Sequence, residues 1–406
     1  MSVTAKARGY ISELAGYGIL DLGLAAILIM MAQGMLTPVL PLYLTSIGAT
    51  PDKIGYIYTM FFVALAIGEF SWGALSDRIG VRAPLAVATA IAAIATAGFL
   101  FSTSLPVLYL CNFMRGLGIS AIFPLSRGNI GASVPARNRG TFMAAYITLQ
   151  ATGRTIGTFF GGLAGSESLR LVLGIAAVIL ICTSVLVYFR LKGVFIGRSR
   201  AKAATAPDPP PPDTNTGRSL SALFTLGATI AFFHLPLSLV NAFLPLRASA
   251  AGASVFEVSL LFTISSLVAL FLTLPFGRIG DRLGWKNAMT IGIVGLSLSM
   301  VGFAYFNAYS LFIFAIVMNA LSSCLFRPAA SARFSDLMSA RRQATAMGVL
   351  GAFEDVGQII GPSVGGLLWE SSLGPPSTFL LGTVFGAVGA VVNVVFSRKR
   401  KTHQLK

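Results

Sequence analysis

The feature that most constrains this chain is a series of apolar stretches, each roughly 20 residues long, that recurs almost without pause from Leu22 to Phe396. An α-helix of that length crosses a hydrocarbon layer of about 30 Å. Charged residues make up only 11% of the 406 residues, too few to cover the surface of a soluble globule. The sequence therefore predicts an all-α membrane protein with about twelve transmembrane helices. The predicted spans are residues 20–46, 54–75, 84–104, 106–132, 140–164, 169–190, 219–246, 255–276, 286–306, 310–336, 344–371 and 377–396.

An internal repeat sets the arrangement of these spans, because residues 204 positions apart match at turn and packing sites along both halves. Pro41 matches Pro245, for example, and Pro124 matches Pro328. Parallel repeats predict two pseudo-symmetric six-helix bundles about an axis along the membrane normal, with a solute path where the halves meet. The predicted divisions are a tail at 1–18, bundles at 19–190 and 219–396, a basic and Pro-rich linker at 191–218, and a basic tail at 397–406.

The net charge of +16 could indicate nucleic-acid binding, but the Lys and Arg residues do not gather on one solvated face. Most of the 30 lie in the tails, the linker and the turns on one side of the predicted membrane, and only Lys53, Arg170 and Arg247 lie in the opposite loops. This asymmetry follows the positive-inside rule. It predicts a multi-pass protein of the cell membrane (plasma or inner) with both termini in the cytoplasm, a lipid bilayer as partner and no nucleic acid.

Two predicted cytoplasmic turns carry the same GxxxDRxG pattern, from Gly73 to Arg82 and from Gly277 to Lys286. With this doubled motif the sequence resembles the major facilitator superfamily, over essentially the whole chain. The resemblance implies a major-facilitator-type fold that moves a small molecule by alternating access and functions as a monomer. In this motif Gly73 allows close helix approach and Gly80 allows a tight turn. A carboxylate facing helix amino termini can hold one conformation, and the alternative is a purely structural turn. The residues of the predicted conformational latch are Gly73, Asp77, Arg78, Gly80, Arg82, Gly277, Asp281, Arg282 and Gly284.

Spans five and eleven are rich in glycine, and both are similar to the antiporter motif GxxxGPxxGG of that superfamily. Span five has Thr158 in place of the proline, whereas span eleven has Pro362 and matches fully. Small residues four apart allow close helix approach and a proline adds a bend, so we expect helices that rock against a neighbour. Ordinary close packing is the alternative. The predicted rocking residues are Gly153, Gly157, Gly161, Gly162, Gly357, Gly361, Pro362, Gly365 and Gly366.

Ionisable residues within the spans are expected to face protein or water, because a charge in lipid is costly. Where the superfamily commonly has RxxQGxG in span four, this chain has Asn112 at the arginine position and Arg115 about one turn further on. Burial favours a protonated carboxyl and hydration reverses this, so an acid can load and release a proton. Glu354 or Asp355 is the first candidate, and an ion pair with Arg154 or another cation is the alternative. The predicted proton-coupling residues are Glu354, Asp355, Arg154 and Glu69.

Polar and aromatic residues at mid-span depth predict a mixed substrate cavity, although amides also serve as hydrogen-bonding links between helices. His234 is the only histidine within a span. The predicted cavity residues are Gln33, Asn112, Arg115, Phe123, Phe232, Phe233, His234, Asn241 and Asn319.

The sequence contains no Walker-type GxxxxGK[ST] and no recognisable metal-ligand or nucleophile–base pattern, so we expect neither an enzyme nor a cofactor. A proton or other ion gradient, or the solute's own gradient, is the expected energy source. The leading hypothesis is proton-coupled export of amphipathic drugs or metabolites. The alternatives are uptake or exchange of an organic anion, favoured by Arg115, Arg154 and Arg327, and a non-transporting membrane receptor.

Overall fold

A computed structural model describes residues 19–134, 139–191, 216–336 and 343–398, and every regular element within these ranges is an α-helix. The predicted tail at 1–18, most of the predicted linker and the end of the chain from 399 lie outside them. The helices are α1 (Ile19–Ser46), α2 (Pro51–Ile79), α3 (Arg82–Phe101), α4 (Leu105–Ser120), α5 (Ile122–Ser133), α6 (Arg139–Glu167), α7 (Leu169–Arg190), α8 (Thr216–Ala250), α9 (Val255–Leu283), α10 (Trp285–Tyr305), α11 (Tyr309–Asp336), α12 (Gln343–Glu370) and α13 (Pro375–Arg398).

These helices confirm the predicted all-α membrane fold, with α4 and α5 together forming predicted span four. In the described part of the chain, 10 helical segments are long and apolar enough to cross a membrane. The glycine-rich helices α6 and α12 are not among them. Glycine and threonine dilute the apolar content of α6, and α12 carries the adjacent acids Glu354 and Asp355.

Large apolar side chains cover much of the outer surface. Phe101 is 86% exposed and Phe70 is 83% exposed, and many of the other exposed apolar residues are Leu, Ile or Val. In water such a surface would favour aggregation, whereas lipid chains solvate it. The outer surface therefore agrees with the bilayer environment predicted from the apolar stretches.

Contacts between residues divide the chain into two compact units. The first contains Met1–Leu36 and Val63–Pro207, and the second contains Thr37–Phe62 and Asp208–Lys406. The units differ from the predicted sequence repeats in one segment, because the residues from Thr37 to Phe62 belong to the first repeat but group with the second unit. Close packing of α2 on α12 within that unit explains the difference, as described below.

Predicted span four keeps helical backbone angles at Ala121 (φ −56°, ψ −33°), where α4 ends and α5 begins, so the two helices form one continuous span. The equivalent helix of the second repeat, α11, continues through Pro328. Pro124 has no backbone N–H to donate to the carbonyl of Ser120, which weakens the helix at this point. In addition, the indole Nε1 of Trp72 donates a hydrogen bond of 2.7 Å to the carbonyl oxygen of Leu117. This bond gives the last turn of α4 a partner on α2.

Candidate functional site

A buried arginine lies at the centre of the polar cluster in the first unit. Arg115 on α4 is only 2% exposed. Its Nε donates to Oδ1 of Asn112 over 2.9 Å, and its Nη1 donates to Oε1 of Gln33 on α1 over 2.7 Å. The structure thus brings together three of the predicted cavity residues. Both of these acceptors are neutral amides, so the hydrogen bonds orient the guanidinium without cancelling its charge. Phe123, also predicted to line the cavity, lies half-buried on α5.

A histidine and a glutamate face each other in the second unit. His234 on α8 is 4% exposed, and its Nε2 lies 3.8 Å from Oε1 of Glu354 on α12, whose side chain is 25% exposed. The Nδ1 of the same ring lies 3.0 Å from the carbonyl oxygen of Ile230. His234 is a predicted cavity residue and Glu354 a predicted proton-coupling residue, and in the structure their side chains face each other. For Glu354, the cation of the ion-pair alternative would be His234 in its protonated form.

The other predicted cavity residues of the second unit mainly join helices. The ring of Phe233 is fully buried and stacks on Phe326 of α11 with 3.8 Å between ring centroids. Phe232 packs against Phe385 of α13 at 5.7 Å. The Nδ2 of buried Asn319 donates to Oγ of Ser299 over 3.2 Å, which links α11 to α10. Phe233 therefore belongs to the packed core in this structure, because its ring has no exposed surface to offer a solute.

Asn241, the last of the predicted cavity residues, lies half-buried on α8.

The remaining candidates for proton coupling have varied surroundings. Arg154 on α6 is exposed and directs Nη2 toward Sδ of Met30 at 3.9 Å. Asp355 is buried on α12, and Glu69 is half-buried on α2. Of the four predicted residues, Glu354 is thus the one that the structure pairs with an imidazole.

The glycine-rich helices have the same packing register in both repeats. A Cβ added at Gly157 on α6 would lie 2.1 Å from the carbonyl oxygen of Met31, and one added at Gly357 on α12 would lie 2.2 Å from that of Ala231. Three glycines of α6 contact α1, and their counterparts on α12 contact α8, each offset by 204 positions. The paired residues are Gly153 with Ile27, Gly157 with Met31, Gly161 with Met35, Gly357 with Ala231, Gly361 with Leu235 and Gly365 with Leu239. The nearest atom of the neighbouring helix is a backbone atom at Gly153, Gly157, Gly161 and Gly357, whereas at Gly361 and Gly365 it is a side-chain atom.

A second face of α12 packs on α2. A Cβ at Gly55 would lie 2.2 Å from the carbonyl oxygen of Pro362, and one at Gly366 would lie 2.7 Å from that of Pro51. The Oγ1 of Thr59 donates to the carbonyl oxygen of Ile359 over 3.1 Å. We call this contact the α2–α12 seam. Sequence reasoning missed Gly55, because no motif or repeat marks it.

Gly162, the remaining predicted rocking residue, is buried on α6, where Thr158 takes the place of Pro362.

The two GxxxDRxG turns contain glycines in the left-handed region, with φ of 85° at Gly80 and 77° at Gly284. The tight turn predicted at Gly80 is present. The close helix approach predicted at Gly73 is not, because a Cβ there would lie 3.7 Å from Cβ of Pro124, an ordinary contact distance. At Gly277 the equivalent distance, to Pro328, is 3.9 Å.

The charged residues of these turns lie largely at the surface. Asp77 is half-buried, whereas Arg78, Asp281 and Arg282 are exposed. Arg82 lies over the ring of Tyr188 at 4.8 Å, which attaches the start of α3 to α7. The latch remains a prediction.

The chain has membrane-length helices in two sequence repeats, buried ionisable side chains within those helices, and turn motifs shared by both repeats. These features together indicate a polytopic membrane transporter. The family comparison agrees with this class. The model of the Major Facilitator Superfamily matches residues 22–237 and 220–406. The chain therefore belongs to the Major Facilitator Superfamily, whose members are transporters of small molecules and not enzymes.

Relatives and solved structures cover nearly the whole chain. Multidrug resistance protein 2 of Bacillus subtilis is 23% identical over 90% of this chain and 92% of that protein. Quinolone resistance protein NorA of Staphylococcus aureus is 22% identical over 90% of this chain and 93% of its own length. The crystal structure of nucleoside transporter NupG matches with a TM-score of 0.73 and 17% identity, covering 92% of this chain and 98% of that one. The structural similarity concerns the fold.

Proposed function

We propose that this transporter exports amphipathic small molecules in exchange for protons. The observation that carries the proposal is Glu354, a carboxylate within a membrane helix that faces a buried imidazole at 3.8 Å. A carboxyl in such a place changes its protonation when its hydration changes, which is what coupling to a proton gradient requires. Two relatives named for multidrug and quinolone resistance support export as the direction.

The proposal includes an orientation and a location. The charge asymmetry of the loops favours cytoplasmic termini in a plasma or inner membrane, and a single chain contains both repeats that alternating access needs. The expected energy source is the proton gradient, with no cofactor.

Purified protein in liposomes provides the test. Vesicles whose lumen faces the cytoplasmic side of the protein are loaded with ethidium, and the outside is acidified. We expect ethidium to leave faster than from protein-free vesicles, and Glu354→Gln to abolish the acceleration. Gly174→Ala is the control, because the nearest atom to a Cβ there is 4.0 Å away. Export that ignores the pH gradient in the unaltered protein would refute proton coupling.

Uptake of an organic anion is the second candidate, and Arg115 favours it. A buried guanidinium held by two amide oxygens has a charge suited to a carboxylate or phosphate. The same vesicles distinguish the two functions when radiolabelled succinate is supplied outside. Acid-driven entry of succinate without movement of ethidium would favour the anion transporter. The reverse result would favour export.

A further inference from the structure

The imidazole of His234 is fixed in one tautomer. A carbonyl oxygen only accepts hydrogen bonds, so Nδ1, 3.0 Å from the carbonyl oxygen of Ile230, carries the hydrogen. In the neutral ring the lone pair is therefore on Nε2. That atom is buried and has no hydrogen-bond partner. A proton arriving at the ring has one place to bind, and this place faces Oε1 of Glu354.

Two described charged groups act on this imidazole from the helices packed around α8. Glu354 approaches from α12, and Arg327 acts from α11. Among the described residues, no other charged group acts on it from α9, α10 or α13. With Glu354 ionised and His234 neutral, the charges of Glu354 and Arg327 cancel. One added proton leaves this group of three with a single positive charge, and a second proton would set two cations close together.

We propose that His234 and Glu354 bind one proton jointly and that this shared proton is the coupling proton of transport, an inference that rests on the proposed function. The proton resides on Nε2 facing the carboxylate, or on Oε1 donating to Nε2. The present 3.8 Å is longer than a hydrogen bond of about 2.8 Å, so sharing the proton requires the two atoms to approach by about 1 Å. Loading forms the N–H or O–H bond, and release returns the same proton to water.

Glu354, rather than its neighbour, provides the carboxylate. Adjacent residues of an α-helix point about 100° apart, so Glu354 and Asp355 face different neighbours. Glu354 makes the contact with His234, and its side chain is 25% exposed. Asp355 is buried.

The chain offers a direct measurement, because it contains only 2 histidines. His403→Gln leaves His234 as the sole histidine, and ¹⁵N-histidine labelling then gives one ring whose tautomer and protonation NMR reports. At high pH we expect hydrogen on Nδ1 and none on Nε2. On acidification Nε2 gains the proton. The infrared signal of the Glu354 carboxyl, identified as the signal that Glu354→Gln removes, changes with the same midpoint.

Charge variants give opposite shifts of that titration midpoint. Glu354→Gln removes the anion facing Nε2, so the midpoint falls by about one pH unit or more. Arg327→Gln removes a nearby cation, so the midpoint rises. Glu370→Gln is the matched control, since it makes the same change on the same helix roughly 24 Å away and leaves the midpoint in place. Hydrogen on Nε2 at high pH, or equal midpoints for Glu354→Gln and Glu370→Gln, would overturn the shared proton.

Transport separates this inference from the proposed function. In His234→Gln, acid-driven ethidium export falls about tenfold, the effect of one unit of lost proton affinity, while downhill ethidium exchange continues. Acid-driven export that persists in His234→Gln would overturn the inference and leave the proposed function intact. If the His234 ring titrates as expected but ethidium export never responds to the pH gradient, the proposed function is refuted and the shared proton site remains. If His234→Gln does not fold, the Glu354→Gln titration decides alone.

Discussion

Replacing Gly157 by alanine should destabilise the first unit, because the added methyl group meets backbone. Its Cβ would lie 2.1 Å from the carbonyl oxygen and 2.8 Å from the carbonyl carbon of Met31, whereas ordinary contact begins near 3.4 Å. Helix α6 must therefore move away from α1 by about 1 Å at this point. Overpacking of this kind costs about 1–3 kcal/mol, partly offset by the better helix propensity of alanine, worth up to ~1 kcal/mol.

Gly174→Ala on α7 makes the same chemical change without the collision. The nearest atom to its Cβ is Cδ1 of Leu100 at 4.0 Å, so only the gain in helix propensity remains. The measurement is the unfolding temperature of both variants in one detergent. We expect Gly157→Ala to unfold about 2 to 5 °C below Gly174→Ala. Equal unfolding temperatures would show that the close approach of α6 and α1 does not limit stability.

A rescue experiment tests whether backbone or side chain is the obstacle. At Gly365 the nearest atom to an added Cβ is Cδ2 of Leu239 at 2.3 Å, a side-chain atom that truncation removes. Leu239→Ala should therefore make Gly365→Ala less damaging than the sum of the two single changes. Met31→Ala should give no such relief to Gly157→Ala, because the carbonyl of residue 31 remains. Equal rescue at both sites would contradict the assigned contacts.

Three further outcomes are expected. Gly80→Ala places a side chain at a φ of 85° and should lower stability by about 1 kcal/mol, measured as a drop in unfolding temperature. Arg247→Met removes hydrogen bonds of 2.9 and 2.7 Å to the residues that follow α10, so thermal unfolding should show a loss of about 1–3 kcal/mol. Gly55→Ala directs a Cβ to within 2.2 Å of the carbonyl oxygen of Pro362, so the α2–α12 seam should open and a cysteine at Thr59 should react faster with an impermeant maleimide.

The helices and their repeat could be predicted from sequence because both depend on local patterns. Apolar length determines which segments cross a bilayer, and the left-handed conformation of Gly80 follows from its place in a tight turn. The matching glycines of spans five and eleven predicted close helix approach, but not which neighbouring helix each one contacts. The residues that those glycines contact become visible only in the folded helices.

The candidate site was harder to predict from the sequence, because it depends on contacts between segments that are distant along the chain. No pattern joins His234 to Glu354, which are far apart in sequence and meet only when α8 packs on α12. The hydrogen bond from Trp72 to the carbonyl oxygen of Leu117 is a second example, because it joins residues 45 positions apart and no sequence pattern marks it.

Contact between glycine and backbone also restricts how this gene can change. Each single-base substitution that replaces a glycine by another amino acid introduces a Cβ, and at Gly153 that atom would fall 2.3 Å from the carbonyl oxygen of Ile27. At such positions even the smallest amino-acid replacement, glycine to alanine, makes the added Cβ collide with the neighbouring helix. The codons of Gly153, Gly157, Gly161 and Gly357, where a Cβ would meet backbone, should therefore tolerate synonymous change freely and amino-acid change hardly at all.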